Sequence, residues 1–324
     1  MLYKEQIFFP IKNEIDSLNE YYETILDHSE PKISRVLSEI TLFEGKRLRP
    51  AMVFLSAGVV GNINHLTQLA AFGLELLHYA SLLHDDVVDN GCKRHNKPTL
   101  NALWNNKIAV LTGDYLLSKC MNVIAEANYP KLLSKLITIT NSMAYGELLQ
   151  VSQFDNTFMN ENEYMKIIHC KTASLISSCF EMGISSCISD EKTINLWKKL
   201  GEEIGVIFQL KDDLLDYQVN EHFQKDAHKD IKEHKITFPF IISMQHAPES
   251  EKKQLIDLYK NHTEKLSEIQ TIICAVTEYE GINYTELLIE EKTNYCLDFI
   301  NQQAENDYKK ALLNLVQFIK NRNF

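Results

Sequence analysis

The sequence is short of what most folds other than helical ones require. Its 324 residues include only 7 prolines, at Pro10, Pro31, Pro50, Pro98, Pro130, Pro239 and Pro248, so that 51–97, 131–238 and 249–324 contain none. That spacing excludes the turn-dense pattern of an all-β chain. No Pro/Gly/Ser-rich stretch, low-complexity tract or internal repeat divides the chain, which predicts one domain over 1–324. No run reaches the roughly 18 apolar residues of a membrane span. The start, MLYKEQIFFPIKNEID, turns charged too soon for a signal peptide. The 7 cysteines form no Cys-x-x-Cys pair, and Cys120, Cys179 and Cys187 sit among apolar residues. They read as reduced thiols, and the cytoplasm is the expected compartment. Basic residues are also scarce: 33 Lys and Arg stand against 44 Asp and Glu, a net charge of -11. This excludes a nucleic-acid partner, whose phosphates need a basic face. A small anionic substrate remains open, since a few local cations or bridging metal ions suffice to hold one.

What is present points to helices. Hydrophobic residues make up 45% of the chain, enough for a large core. They recur three and four apart, as in Leu66, Leu69, Gly73, Leu76, Ala80, Leu83 and Val87, or Leu200, Ile204, Ile207 and Leu210. The expected fold class is all-α, a single large helical bundle with essentially no sheet. Pro50 fits the first turn of a helix, where its missing N–H costs nothing. Asn90 to Pro98 reads as a polar loop, and Tyr217 to Thr237 as a mobile lysine-rich segment.

Two matching segments carry the chemistry: LLHDDVVDN, with Asp85, Asp86 and Asp89, and FQLKDDLLDY, with Asp212, Asp213 and Asp216. On a helix the first and last carboxylates of each set share a face one turn apart, where they can offer oxygen ligands to hard cations. A solvated acidic helix end explains them poorly. Like charges at i,i+4 cost roughly 0.2–0.5 kcal/mol per pair, and anions near a helix C-terminus cost about 0.3–1 kcal/mol more each. A sequence selected for stability alone would avoid the arrangement. The expected picture is two rows of acidic side chains gripping one cluster of divalent ions.

These motifs, with GKRLRP at 45–50, HYASLLHDD at 78–86, KTASL at 171–175 and FQLKDD at 208–213, closely resemble the trans-polyprenyl diphosphate synthase family. The resemblance implies an isoprenoid-synthase bundle around a deep central cavity, Mg2+ as cofactor and a homodimer. It implies isopentenyl diphosphate and an allylic diphosphate as substrates, with membrane contact at most peripheral, for release of an apolar product. Residue by residue, it implies magnesium at Asp85, Asp86, Asp89, Asp212, Asp213 and Asp216. Isopentenyl diphosphate falls to Lys46, Arg49 and His78; the allylic diphosphate falls to Arg94. Lys171 would contact the departing diphosphate, and Thr172 and Gln209 would turn oxygen dipoles toward the allylic cation. Lys225 and Lys235 would close over the phosphates.

The chain departs from the family pattern in two places. His95 follows Arg94 where a second arginine is usual, so imidazole replaces a guanidinium fork. His228 and His234 stand in QKDAHKDIKEHK where glycine is expected.

Short-chain relatives place bulky aromatics four or five residues before the first aspartate. Here Ser81 and Ala80 occupy those places, with Leu77 a turn earlier, so the wall is open and a product of long chain length is expected. A shorter-chain synthase is the nearest alternative. A class I terpene cyclase differs in its second metal motif, which usually mixes Asn, Ser and Glu. A non-catalytic subunit would typically have lost metal aspartates, and this chain keeps all six; a catalytic subunit requiring an unlike partner stays open.

Overall fold

The computed structural model describes residues 2–26, 29–40, 45–94, 97–152, 159–218, 228–261 and 265–322. His95 and Lys225, both singled out from the sequence, lie outside the described residues. Helices dominate, as the proline-free stretches predict. The only strands among the described residues are two-residue pieces, β1 (Lys93–Arg94) and β2 (Lys97–Pro98), which pair antiparallel inside the predicted loop. Pro98 is tolerated there because this ladder has no further strand to receive an N–H.

The chain forms two compact units, each assembled from separate segments. The first comprises 1–140, 175–201 and 303–314; the second comprises 141–174, 202–302 and 315–324. Four of their five boundaries fall inside helices, and the one between 302 and 303 falls in a turn.

The first unit begins with α1 (Leu2–Phe8), α2 (Lys12–Leu26) and α3 (Pro31–Ser38). Next comes α4 (Leu48–Val60), apolar on all sides and buried from Pro50 to Val59, as a central helix must be. α5 (His65–Val88) opens with a reciprocal cap: Leu66 and Thr67 N–H donate to Asn64 Oδ1 at 2.9 and 3.2 Å, and Asn64 N–H donates to Thr67 Oγ1. It runs 24 residues and stops at the first aspartate motif, where Asn90 turns left-handed. α6 (Leu100–Leu103) leads into α7 (Asn106–Glu126), which packs along α5. Glycines permit that approach: a Cβ on Gly113 would lie 2.4 Å from the His84 ring, and one on Gly73 would lie 2.8 Å from Ile124.

Among the described residues α7 is the one helix long and apolar enough to cross a membrane, which no run of apolar residues had suggested. Its packing on α5 gives it the character of a bundle helix. α8 (Pro130–Ser152) passes from the first unit to the second. α10 (Ser174–Ser185) and the start of α11 (Glu191–Asp216) return to the first, where Phe180 and Trp197 stack at 6.3 Å.

In the second unit α9 (Glu161–Ile168) continues into a π-helical turn, His169–Ala173. The end of α11 carries the second aspartate motif. After it come α12 (Lys229–Lys232), α13 (Phe238–His246), α14 (Glu249–Asn261), α15 (Leu266–Glu278) and α16 (Gly281–Asn301). The last turns of α17 (Asp307–Asn321) complete the unit. Its core gathers Tyr217, Ile231, Phe240, Tyr259, Ile272 and Val276. A cavity of about 710 Å³ lies between α13 and α14, and one of about 180 Å³ lies beside α2 and α5. Neither is lined by an aspartate of either motif.

Candidate active site

In the first unit both long-range signals of the sequence meet on α5. Asp85 is half-buried and Asp89, the C-cap, is exposed. Asp86, one residue on and about 100° round the helix, is buried at 8% exposure. Its Oδ1 accepts from Arg94 Nε at 3.0 Å and Nη2 at 2.9 Å. Asp86 therefore orients the arginine assigned to the allylic diphosphate.

Two turns earlier, Arg49 Nη1 lies 2.9 Å from His78 Nε2. Guanidinium can only donate, so Nε2 accepts and the neutral ring carries its proton on Nδ1. Burial, together with the Arg49 and Arg94 charges, holds this imidazole well below its usual range. Two of the three residues assigned to isopentenyl diphosphate, Arg49 and His78, are thus brought together. Arg49 stands in the first turn of α4, Arg47 is its N-cap, and Lys46 is half-buried beside them.

Arg47 stands between Lys46 and Arg49 in the sequence but does not share their assignment. It is buried instead, with Nη1 3.2 Å from Glu75 Oε1 and its guanidinium 4.9 Å from the Tyr22 ring. Its φ of 53° is left-handed, a strain of roughly 1–2 kcal/mol for a residue with a Cβ. Of the residues assigned to the chain-length wall, Leu77 and Ala80 are buried at 3% and 2%, and Ser81 donates to the His78 carbonyl at 2.8 Å.

In the second unit the matching motif has different partners. Asp213 is buried and accepts from Tyr164 Oη at 2.6 Å, Phe238 N–H at 2.8 Å and Gln209 Nε2 at 3.0 Å. Burial pushes its carboxyl up to about 6 against the pull of those three donors. Gln209 is fixed from its other end by the Thr172 hydroxyl, which donates to Oε1 at 2.9 Å. Thr172 and Lys171 stand on the π-helical turn, where an extra residue per turn shifts both side chains round the helix. A Cβ on Gly146 of α8 would lie 2.8 Å from the Lys171 N, so only glycine lets α8 approach this turn. Lys171 pairs with Glu147 and donates to Gln150 at 3.1 Å.

Asp216 accepts from Asp230 N–H at 3.1 Å and Ile231 N–H at 3.0 Å, capping α12 from a distance. Burial raises its carboxyl, with those two amides opposing. Asp212 is partly exposed and ion-paired: its side chain is 42% exposed, and Arg322 Nη2 lies 2.7 Å from its Oδ1. Lys235 pairs with Glu233 at 2.8 Å. His228 and His234, where glycine was expected, have φ of 62° and 56°. Both take the left-handed conformation that glycine adopts freely. Each repays the strain with a ring contact, from Nδ1 to the Asp216 carbonyl at 2.6 Å and to the Tyr259 carbonyl at 2.8 Å.

The donor chemistry fits a hard divalent cation. Asp85 is half-buried, Asp89 is exposed and the Asp212 side chain is 42% exposed, while Asp86, Asp213 and Asp216 accept hydrogen bonds from named protein donors. No group of three or more His, Cys, Asp or Glu among the described residues forms a complete protein cage. Magnesium characteristically takes one or two carboxylates and fills its octahedron with water and substrate phosphate. Sequence reasoning missed Glu75, Glu147, Tyr164 and Arg322. Only Glu75 left a signal, a carboxylate inside the apolar run LELLHYASLL.

The polyprenyl synthetase family model matches residues 30–276, which takes in both motifs and the basic turn before α4. The chain belongs to the polyprenyl synthetase family. As a member it is a trans-prenyltransferase acting on isoprenoid diphosphates. It is 30% identical to the all-trans-nonaprenyl-diphosphate synthase (geranyl-diphosphate specific) of Rhodobacter capsulatus, over 99% of this chain and 98% of that one. It is 29% identical to the octaprenyl diphosphate synthase of Haemophilus influenzae, over 96% and 94% of the two chains. Among solved structures, the polyprenyl synthase of Caulobacter crescentus complexed with calcium and isoprenyl diphosphate matches at a TM-score of 0.90. That match has 25% identity and covers 99% of this chain and 98% of that one.

Proposed function

We propose that this polyprenyl synthetase condenses isopentenyl diphosphate with an allylic diphosphate to build a long-chain all-trans polyprenyl diphosphate, with Mg2+ as the divalent ion. The observation that carries it is the family match over residues 30–276, which takes in both aspartate motifs, with Asp86 fixing Arg94 beside the first of them. The relatives' names, octaprenyl and nonaprenyl synthases, support the long product, as do the small Ala80 and Ser81.

Breaking the allylic carbon–oxygen bond leaves a carbocation and a highly charged diphosphate, so the site must stabilise diphosphate more as it departs than while bound. Bound magnesium supplies charge neutralisation to that leaving group. Asp85 and Asp89 would be its ligands in the first unit, and Asp212 in the second. Arg94, oriented by Asp86, and Lys171, steadied by Glu147 and Gln150, add donors that need no rearrangement during the reaction. Lys225 and Lys235 complete the phosphate set. Thr172 and Gln209 present oxygen dipoles to the cation, and Gln209 is fixed by Asp213. Lys46, Arg49 and neutral His78 hold isopentenyl diphosphate, with His95 beside Arg94. The isopentenyl double bond then attacks the allylic carbon, and a proton leaves to form the new double bond.

The protein works in this reading as a single domain in the cytoplasm and as a homodimer. Leu111 on α7, 54% exposed, supplies apolar surface for a second copy. The product reaches a membrane by surface contact.

One incubation of the purified chain with both diphosphates and magnesium, read by mass spectrometry, tests the proposal. Diphosphate release with a long prenyl product, abolished in Asp85→Ala and Asp212→Ala, is the expected result. Consumption of farnesyl diphosphate alone would indicate a cyclase, and inactivity restored by an unlike subunit would indicate a heteromer.

A further inference from the structure

The turn at 45–49 is held by α5 in a regular way. Three α5 side chains on one face, at i, i+3 and i+4, each grip one alternate residue of the turn. Glu75 takes Arg47 at 3.2 Å, His78 takes Arg49 at 2.9 Å, and the Tyr79 hydroxyl receives the backbone N–H of Gly45. The Tyr79 oxygen would lie 2.6 Å from a Cβ at position 45, so the turn must begin with glycine for this grip to form. Arg47 is buried and left-handed, a conformation that persists only where surrounding contacts over-determine it. Glu75, buried at 3%, supplies the opposing charge and also lies within the field of Arg49. A buried guanidinium of this kind is tolerated because its partner carboxylate is present. Lys46 and Arg49, the cations assigned to isopentenyl diphosphate, flank the one residue that Glu75 locks.

We propose that Glu75, acting through Arg47, and Tyr79, acting through Gly45, are positioning residues that set the spacing of Lys46 and Arg49 for isopentenyl diphosphate. This rests on the function proposed above. Neither residue touches the substrate; each determines whether the turn arrives already shaped, so that the cations bind without first being ordered.

Steady-state kinetics on Glu75→Gln, Arg47→Met, the double variant and Tyr79→Phe test it. Glu75→Gln keeps the shape and removes the charge. It should raise KM for isopentenyl diphosphate about tenfold while kcat and the allylic KM stay within about twofold. Because the two residues act as one clamp, the double variant should be no worse than the worse single one. Tyr79→Phe, which loses one hydroxyl, should raise the same KM about threefold and carries the test if Glu75→Gln fails to fold.

A lowered melting temperature with an unchanged KM, equal rises in both KM values, or effects that multiply in the double variant would each overturn the proposal. Calorimetric binding of inorganic diphosphate to metal-free protein separates the two readings. Wild type that binds diphosphate, with weaker binding in Glu75→Gln, upholds the clamp even if no condensation occurs, in which case only the proposed activity falls. Equal binding by both proteins overturns the clamp.

Discussion

Arg322 offers the most demanding test of the second motif. Its side chain is 6% exposed, and its Nη2 lies 2.7 Å from Asp212 Oδ1 and 2.5 Å from the Phe208 carbonyl, with the guanidinium 3.8 Å from the Phe208 ring. Arg322→Met removes all three contacts while keeping apolar bulk. The ion pair is half-exposed through Asp212 and contributes at most about 1 kcal/mol. The carbonyl hydrogen bond adds about 1 kcal/mol, and the ring contact about 1 kcal/mol more. The sum, about 3 kcal/mol, should lower Tm by about 6 °C at roughly 2 °C per kcal/mol for a chain of this size.

The same substitution should help a divalent ion. Arg322 neutralises Asp212, so a metal ion and the guanidinium would compete for that carboxylate. Even at the dielectric of bulk water, unit charges about 4 Å apart interact by about 1 kcal/mol. Removing the arginine should therefore tighten Mn2+ binding at least about fivefold. Differential scanning calorimetry with and without Mn2+ checks both effects, with Lys310→Met as an exposed control. A Tm no lower than that of the control, or a gap to wild type that fails to narrow as metal is added, would refute the reasoning.

Ala80→Phe places an aromatic ring on the buried wall before the first motif, and mass spectrometry should find a shorter prenyl product; an unchanged length defeats the open-wall argument. His78 is neutral in the fold, its pKa held below the ordinary value of 6.5. The stability this contributes is fully present above pH 6.5 and is lost as pH falls from there toward the depressed value, by up to about 1.4 kcal/mol per pH unit. Relative to His78→Gln, wild type should thus lose Tm between pH 6.5 and 5, and parallel profiles would contradict this. Gly281→Ala would bring a Cβ within 2.1 Å of the Pro239 carbonyl oxygen. Overpacking against backbone should cost about 3 kcal/mol in a urea titration. Gly91→Ala, whose nearest atom would be 3.6 Å away, serves as its tolerated counterpart.

Much of the fold is legible along the chain because its causes are local. The 3.6-residue apolar period of α5 and α11, the Asn64 cap and the missing prolines act within a turn or two of each residue. The small β1–β2 ladder was not legible, since two residues of pairing leave no period. The Arg47–Glu75 pair joins positions 28 apart. From sequence, Arg47 is indistinguishable from its basic neighbours, yet its side chain turns inward. The left-handed histidines give the reverse lesson. An expectation of glycine at positions 228 and 234 correctly located the unusual backbone, although the residue that adopts it differs.

The sequence by itself determined that two long helices end in the same acidic pattern, because helical period and capping are properties of short segments. Only the tertiary structure decided which protein donors each of those carboxylates meets. Asp86 is taken by an arginine 8 residues away, Asp213 by a tyrosine 49 away and a backbone amide 25 away, and Asp216 by amides 14 and 15 away. Identical motifs thus acquire different roles, since a carboxylate's availability depends on which donors the folded chain brings to it.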